Sequence, residues 1–237
     1  MSMSRYFVKD NVHVCFDAGH AVFLDVKRDR YFGLNSQQTR LLGGLVAGWP
    51  KFAEKEHPTD AARQLAADLE SSGLLTPHPS RGANVRCAAI ESAETSLVFH
   101  GGKLAAISAA DALKFAYAVL RASYYLKLRS FAHAVDHMMG ARRQWQPRTE
   151  EEVRGLVAKF DVLRPLAYSR RERCLFDSLA LSLFLEQYGI SATWVVAVKC
   201  RPFRAHSWVQ HGEYVLNDSA EYVSEYKPIL CCPREGY

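Results

Sequence analysis

No run of apolar residues in this 237-residue chain approaches the roughly 18 that a membrane-crossing helix needs. The N-terminus, Met1-Ser2-Met3-Ser4-Arg5-Tyr6-Phe7, has neither the apolar core nor the small-residue cleavage site of a secretory signal. The six cysteines, at 15, 87, 174, 200, 231 and 232, include no CxxC spacing, so neither a disulfide framework nor a zinc site is expected. No HExxH and no phosphate-binding loop occurs. The net charge of +5 is modest, and Arg142-Arg143 reads as a solvated face rather than part of an aromatic-interleaved nucleic-acid surface. These absences point to a cytoplasmic protein with no metal, no cofactor, no membrane span and no nucleic-acid partner. What is present, 49% hydrophobic and 23% charged residues, supplies an ordinary globular core. The length lies between one typical domain and two large ones.

Short alternating runs fill residues 12–35, broken by polar turns at Asp17-Ala18-Gly19-His20 and Lys27-Arg28-Asp29-Arg30. They read as a three-stranded antiparallel meander. Asn35-Ser36 caps a following helix, with Leu41, Leu42, Leu45 and Val46 on one side, which Pro50 helps to end. A second amphipathic helix spans about Thr59 to Leu74, with Ala62, Leu65, Ala66 and Leu69 inward and Gly73 at its end. Residues 1–79 thus form a small winged helix-turn-helix, a meander plus helices. Residues 80–108, within a Pro-, Ser-, Gly- and Ala-rich stretch, read as a linker to a second domain at 109–237.

That domain opens with a helical front half. Leu113, Tyr117, Leu120, Tyr124 and Leu128 recur at three- and four-residue steps, and a further helix spans 149–161; both are expected as packing elements. His133 and His137 have ligand spacing but no partner motif, so no metal role is expected. A helix over 174–188, ending at Gly189, precedes strands at 192–199, 205–210 and 214–218. The fold class is α+β.

The chemistry concentrates at Cys174, His206 and Asp218, in the order of a thiol nucleophile, a base and an orienting carboxylate. A thiol attacks only as its thiolate, so its site must favour negative charge. Cys174 opens a helix, whose unsatisfied N–H groups and dipole do so, with Arg171 and Arg173 adding positive potential. One N–H of that terminus suits an oxyanion; no second donor is evident. A three-residue loop, His211-Gly212-Glu213, pairs Gln210 with Tyr214, Trp208 with Leu216 and His206 with Asp218. A two-residue loop closed by Gln210 and Glu213 sets His206 opposite Asn217 instead. The first register is preferred because it also pairs Trp208 with Leu216. His211 is expected in the turn, away from the sheet face, and Asp177 as a capping or solvated carboxylate.

Arg173-Cys174-Leu175-Phe176-Asp177-Ser178, Tyr188-Gly189-Ile190, Arg204-Ala205-His206-Ser207-Trp208-Val209, Leu216-Asn217-Asp218 and Tyr226-Lys227-Pro228-Ile229 together resemble the lasso-peptide biosynthesis B proteins. These are the leader peptidases of the microcin-processing group, with a transglutaminase/papain-like cysteine protease fold. The resemblance covers about 109–230 and implies Cys174 as nucleophile, His206 as base and Asp218 as its orienter. Leu24-Asp25 and Arg30-Tyr31-Phe32-Gly33-Leu34-Asn35 resemble a RiPP recognition element, the winged module that binds leader peptides. In such a module the leader adds as a strand beside the third strand of the meander. Arg30, Tyr31, Phe32 and Leu34 would form that edge, beside helix 60–74. The resemblance also implies two partners: the leader of the precursor peptide, and a separate ATP-dependent lasso cyclase related to asparagine synthetases. Two rivals keep the fold: a transglutaminase-like acyltransferase, in which an amine resolves the thioester, and a non-catalytic peptide-binding escort. A DNA-binding winged helix is disfavoured, because 59–74 carries Asp60, Asp68 and Glu70 against a lone Arg63.

Overall fold

The computed structural model describes residues 5–51, 58–97, 106–140, 149–169 and 173–233. Two compact units emerge, one formed by residues 1–88 with 199–204 and the other by residues 89–198 with 205–237.

In the first unit, β1 (Phe7–Lys9), β2 (Val12–Asp17), β3 (His20–Asp25), β4 (Arg30–Leu34), α1 (Ser36–Leu41), α2 (Asp60–Ser71), β5 (Leu75–Thr76) and β6 (Gly82–Ala83) follow in order. Strands β2, β3 and β4 are the expected antiparallel meander, with β3 central and β4 at an edge. The β2–β3 turn places Ala18 and Gly19 at φ of 47° and 80°, the two left-handed positions of a tight hairpin loop. Asn35 caps α1 reciprocally with Gln38. The helix stops at Leu41, sooner than its apolar pattern implies, because Gly43-Gly44 breaks it; Leu42, Leu45 and Val46 are nonetheless buried. They join Phe23, Leu34, Trp49, Ala66, Leu74 and Leu75 in one core. Thr39 pins α1 to the meander by accepting the Ala21 N–H at 3.0 Å. Strand β1 pairs with both β5 and β6, which brings residues 82–83 of the expected linker into this unit. A Cβ at Gly82 would lie 2.6 Å from the Val8 carbonyl, so only glycine permits that approach.

The second unit contains β7 (Thr95–Ser96), α3 (Ala109–Ser123), a π-helical segment Tyr124–Arg129, α4 (Phe131–Gly140), α5 (Glu150–Leu163), α6 (Cys174–Glu186), β8 (Thr193–Cys200) and β9 (Phe203–His211) apart from their residues 199–204, β10 (Tyr214–Val215), α7 (Ala220–Ser224) and β11 (Lys227–Cys232). The sheet order is β11-β8-β9-β10-β7. Its parallel β10–β7 pair enlists another part of the expected linker. Helix α6 is apolar on all sides and buried from Asp177 to Glu186, as a helix without a polar face must be. The α+β class thus holds.

One packing expectation is reversed. Leu113, Tyr117, Leu120, Tyr124 and Leu128 are 72, 54, 68, 46 and 75% exposed. The inward face of α3 is instead Asp111, Phe115, Ala118 and Ala122. Small side chains let α3 approach its neighbours closely, and a three- and four-residue spacing fits either face.

Two buried polar clusters join the helices of this unit. His137 stacks on Tyr125, and its Nε2 lies 3.2 Å from Glu186 and 2.8 Å from the Arg121 guanidinium, a structural role. Asp111 accepts from Tyr188 Oη at 2.5 Å and Lys159 Nζ at 2.9 Å, and closes a capping box with Ser108. The Tyr188 hydroxyl above all holds the Asp111 carboxyl well below the usual carboxylate range. A depressed carboxylate stabilises the fold above its unfolded value near 4 and loses that contribution as pH falls below it. Asp111→Ala, which strands Lys159 and the Tyr188 hydroxyl, is expected to cost roughly 2–3 kcal/mol in a urea titration at pH 7. The gap between variant and wild type should narrow toward pH 3.

Candidate active site

Burial of α6 carries its N-terminal residue, Cys174, to a half-buried position at the end of the apolar core. Arg173, the N-cap, makes no side-chain cap, so the first turn keeps N–H groups for other use. The backbone N–H groups of Ser207 and Leu175 donate to the Cys174 sulfur. A chain of buried hydroxyls ties the first turn to the sheet. Ser178 Oγ lies 2.8 Å from Ser207 Oγ and accepts from Trp194 Nε1 at 2.9 Å, while Ser207 Oγ donates to the Val195 carbonyl at 2.7 Å. These bonds set α6 against β8 and β9 and so set Cys174 against His206.

His206 sits on β9, only 11% exposed at its side chain, with Nε2 at 2.8 Å from Asp218 Oδ2. With Nε2 taken, Nδ1 is the ring nitrogen left for its hydrogen bond with Cys174. Tyr222 stands edge-on to the imidazole at 5.1 Å, Tyr226 lies tilted at 5.2 Å and Trp208 stacks at 6.2 Å. The two tyrosine hydroxyls bond to each other at 2.8 Å. This aromatic box restricts rotation of the ring.

Burial pushes the Cys174 thiol up, but the hydrogen bond and charge of His206, with the Ser207 and Leu175 N–H groups, outweigh it and bring it below 9.0. Burial pulls the His206 imidazole down, yet Asp218 and the Cys174 sulfur raise it to about 9. Each partner therefore favours the charged form of the other, thiolate beside imidazolium. The contrast with other cysteines is sharp: burial pushes Cys15 up to about 12 and Cys200 to about 11, and it raises Cys87.

Cys174, His206 and Asp218 are thus brought together, but by a hairpin register that differs from both expectations. His211 pairs with Tyr214 and Gln210 with Val215, closing a two-residue loop of Gly212-Glu213. Gly212, at φ 56°, supplies the left-handed first loop position that such a turn demands, which shifts the closing pair to His211 and Tyr214. Asp218 is therefore not a cross-strand neighbour of His206. The ladder ends at Val215, and the chain then turns Asp218 back onto the imidazole. Asn217 makes that turn. Its Oδ1 accepts the Val209 N–H at 2.8 Å, replacing a lost strand partner, and its Nδ2 donates to Asp177 Oδ2 at 3.0 Å. Asp177, 1% exposed, accepts in turn from Tyr168 Oη at 2.9 Å, so it is neither a helix cap nor solvated.

Ser178, Ser207, Tyr168, Tyr222 and Tyr226 went unpredicted. Ser178 and Ser207 lie within the strings around Cys174 and His206, and that adjacency was their only signal. Arg173 is exposed, while Arg170, Arg171, Arg142 and Arg143 lie outside the described residues. His211 accepts no triad role; its Nδ1 bonds to the Ser191 carbonyl at 2.6 Å. Among the described residues no group of three or more His, Cys, Asp or Glu side chains is placed to hold a metal ion. No helix among them is long and apolar enough to cross a membrane.

Of the four residues expected to bind a leader, Phe32 and Leu34 turn toward the core of the first unit. Tyr31 packs edge-on against Phe203 of the same unit at 5.6 Å, and Arg30 is exposed. Their strand, β4, nevertheless presents an outer backbone edge on which no strand is paired among the described residues.

A short stretch of the chain is similar to the Microcin J25-processing protein McjB of Escherichia coli, at 44% identity over 46 residues. That stretch is 19% of this chain and spans only 22% of the McjB length. No solved structure matches the chain. Residues 104–231, more than half of the chain and the whole of the Cys174-His206-Asp218 arrangement, match the transglutaminase-like superfamily, and the protein belongs to that family.

Proposed function

We propose that this protein is a leader peptidase that cuts the leader of a lasso-peptide precursor from its core by Cys-His-Asp thiol catalysis. The observation that carries this reading is the Cys174–His206 pair, in which the thiol is brought down and the imidazole raised while Asp218 holds Nε2. The similarity to a microcin-processing protein supports the substrate class. In this scheme the Cys174 thiolate attacks the carbonyl between leader and core, with the first-turn N–H groups of α6 beside the developing oxyanion. His206 delivers its proton to the leaving amine, then takes one from the water that cleaves the thioester. Asp218 keeps the ring oriented and its positive charge stabilised.

The first unit would act as a RiPP recognition element, taking the leader as a fourth strand along the open edge of β4. Phe32 and Leu34 hold that edge rigid from within, so affinity would come from the backbone and from Arg30 and Tyr31. Binding the leader on the same chain makes the cut effectively intramolecular. Macrolactam closure, and any ATP it consumes, would belong to a partner cyclase.

Incubating a candidate precursor peptide with wild-type protein and with Cys174→Ala, followed by mass spectrometry, tests the reading directly. The wild type should release leader and core, and the variant neither. Full cleavage by Cys174→Ala would overturn thiol catalysis and leave an escort role. An adduct formed only with added amine, without hydrolysis, would favour acyl transfer.

The raised imidazole sets the pH dependence. A function that needs the imidazolium is present below about pH 9 and lost as pH rises through that value. Iodoacetamide should therefore alkylate Cys174 at neutral pH faster than an ordinary thiol. In Asp218→Asn the alkaline limb of kcat/KM should move to lower pH, because Asp218 is one of the groups holding the proton on His206. Asn217→Ala separates the two neighbours. It should move that limb less than Asp218→Asn does while lowering stability by about 1–3 kcal/mol, through the Val209 N–H left without its acceptor and the lost bond to Asp177, as read by thermal denaturation.

A further inference from the structure

The exposed row on α3 has a geometry of its own. Leu113, Tyr117, Leu120 and Tyr124 are spaced by four, three and four residues, the seam of a helix that packs along another helix. A regular α-helix would rotate the next such position onto Lys127. Here Tyr124–Arg129 is π-helical, and its wider turn keeps Leu128, four residues past Tyr124, in line with the row. The stripe therefore extends across about four turns, although its members lie between 46 and 75% exposed. Contiguous apolar surface of this kind on a soluble domain marks an interaction site.

The charges beside it have one sign. Residues 109–129 contain Lys114, Arg121, Lys127 and Arg129 and a single carboxylate, Asp111, which is buried and bound to Lys159. Arg121 is paired with the buried Glu186, whereas Lys127 and Arg129 are exposed, Arg129 within 6.0 Å of the Tyr124 ring. A second copy docked on this face about a two-fold axis would set basic flank against basic flank. A membrane surface calls for a broad apolar face, whereas this stripe is a narrow seam whose helix is buried on its other side.

We infer that this stripe is a docking face for an amphipathic helix of another protein, with an apolar seam and acidic flanks. Leucine-like side chains would seat between the exposed Leu and Tyr side chains, and carboxylates would meet Lys127 and Arg129. The inference is independent of the peptidase reading, for it uses no residue of the candidate active site.

The test uses the full-length chain and two fluorescein-labelled designed helical peptides with leucine at a and d positions, one with glutamate and one with lysine at e and g. Fluorescence anisotropy should give a micromolar dissociation constant for the glutamate peptide and at least about tenfold weaker binding for the lysine peptide. Leu120→Glu should weaken the glutamate peptide about tenfold or more without changing the circular dichroism spectrum or unfolding temperature. The double variant Lys127→Glu, Arg129→Glu should reverse the preference toward the lysine peptide. Equal binding of both peptides, binding that survives Leu120→Glu, or no binding at hundreds of micromolar would overturn the inference. So would self-association in sedimentation, or flotation with phosphatidylglycerol–phosphatidylcholine vesicles, that Leu120→Glu abolishes.

Discussion

Helix α6 has no polar face, and the second unit is organised around that constraint. Thirteen residues, buried almost throughout, must be wrapped by helices on one side and by the sheet on the other. Only its first turn escapes, and Cys174 is there. A nucleophile at the tip of a buried helix combines two conditions that rarely coexist on a surface loop. Its position is held by the core, and its environment is dry enough for a neighbouring charge to shift a thiol. The two hydroxyls of Ser178 and Ser207 make the connection to β9 specific, because they are buried and satisfy each other.

The carboxylate is held by a different device. Strand β10 contributes only two residues to the ladder, and its early end frees the chain to turn Asp218 toward His206. An abandoned strand would leave the Val209 N–H unsatisfied in the core, a cost comparable to a lost hydrogen bond. Asn217 answers with its side-chain oxygen and spends its nitrogen on Asp177. The same few residues thus close the sheet, donate a hydrogen bond to a buried carboxylate and aim the next side chain, which explains why Asn217 and Asp218 are adjacent.

Much of this is legible in the amino-acid sequence. The meander, the cap at Asn35, the helix beginning near Thr59, helix α6 and the three residues of the candidate site follow from periodicity and residue chemistry that act over a few positions. The short strands at 82–83 and 95–96 were not, because two-residue pairings carry no periodic signal and depend on partners far along the chain. The face of α3 was misread for a related reason. Its alanine-rich side and its Leu/Tyr side have the same spacing, and only the shape of the surface opposite selects between them.

The hairpin draws the line most clearly. By itself the sequence determined that a cysteine would open an apolar helix, that a histidine would lie on a following strand and that a carboxylate would return near it. Those are properties of local order, set by which residues alternate and which break the pattern. Which side chain reaches the imidazole was decided by tertiary structure. Gly212 accepts the left-handed position and sets the register, the ladder stops at Val215, and Asn217 turns the chain. Each step hangs on a hydrogen-bond partner supplied from elsewhere in the fold, and no local pattern encodes it.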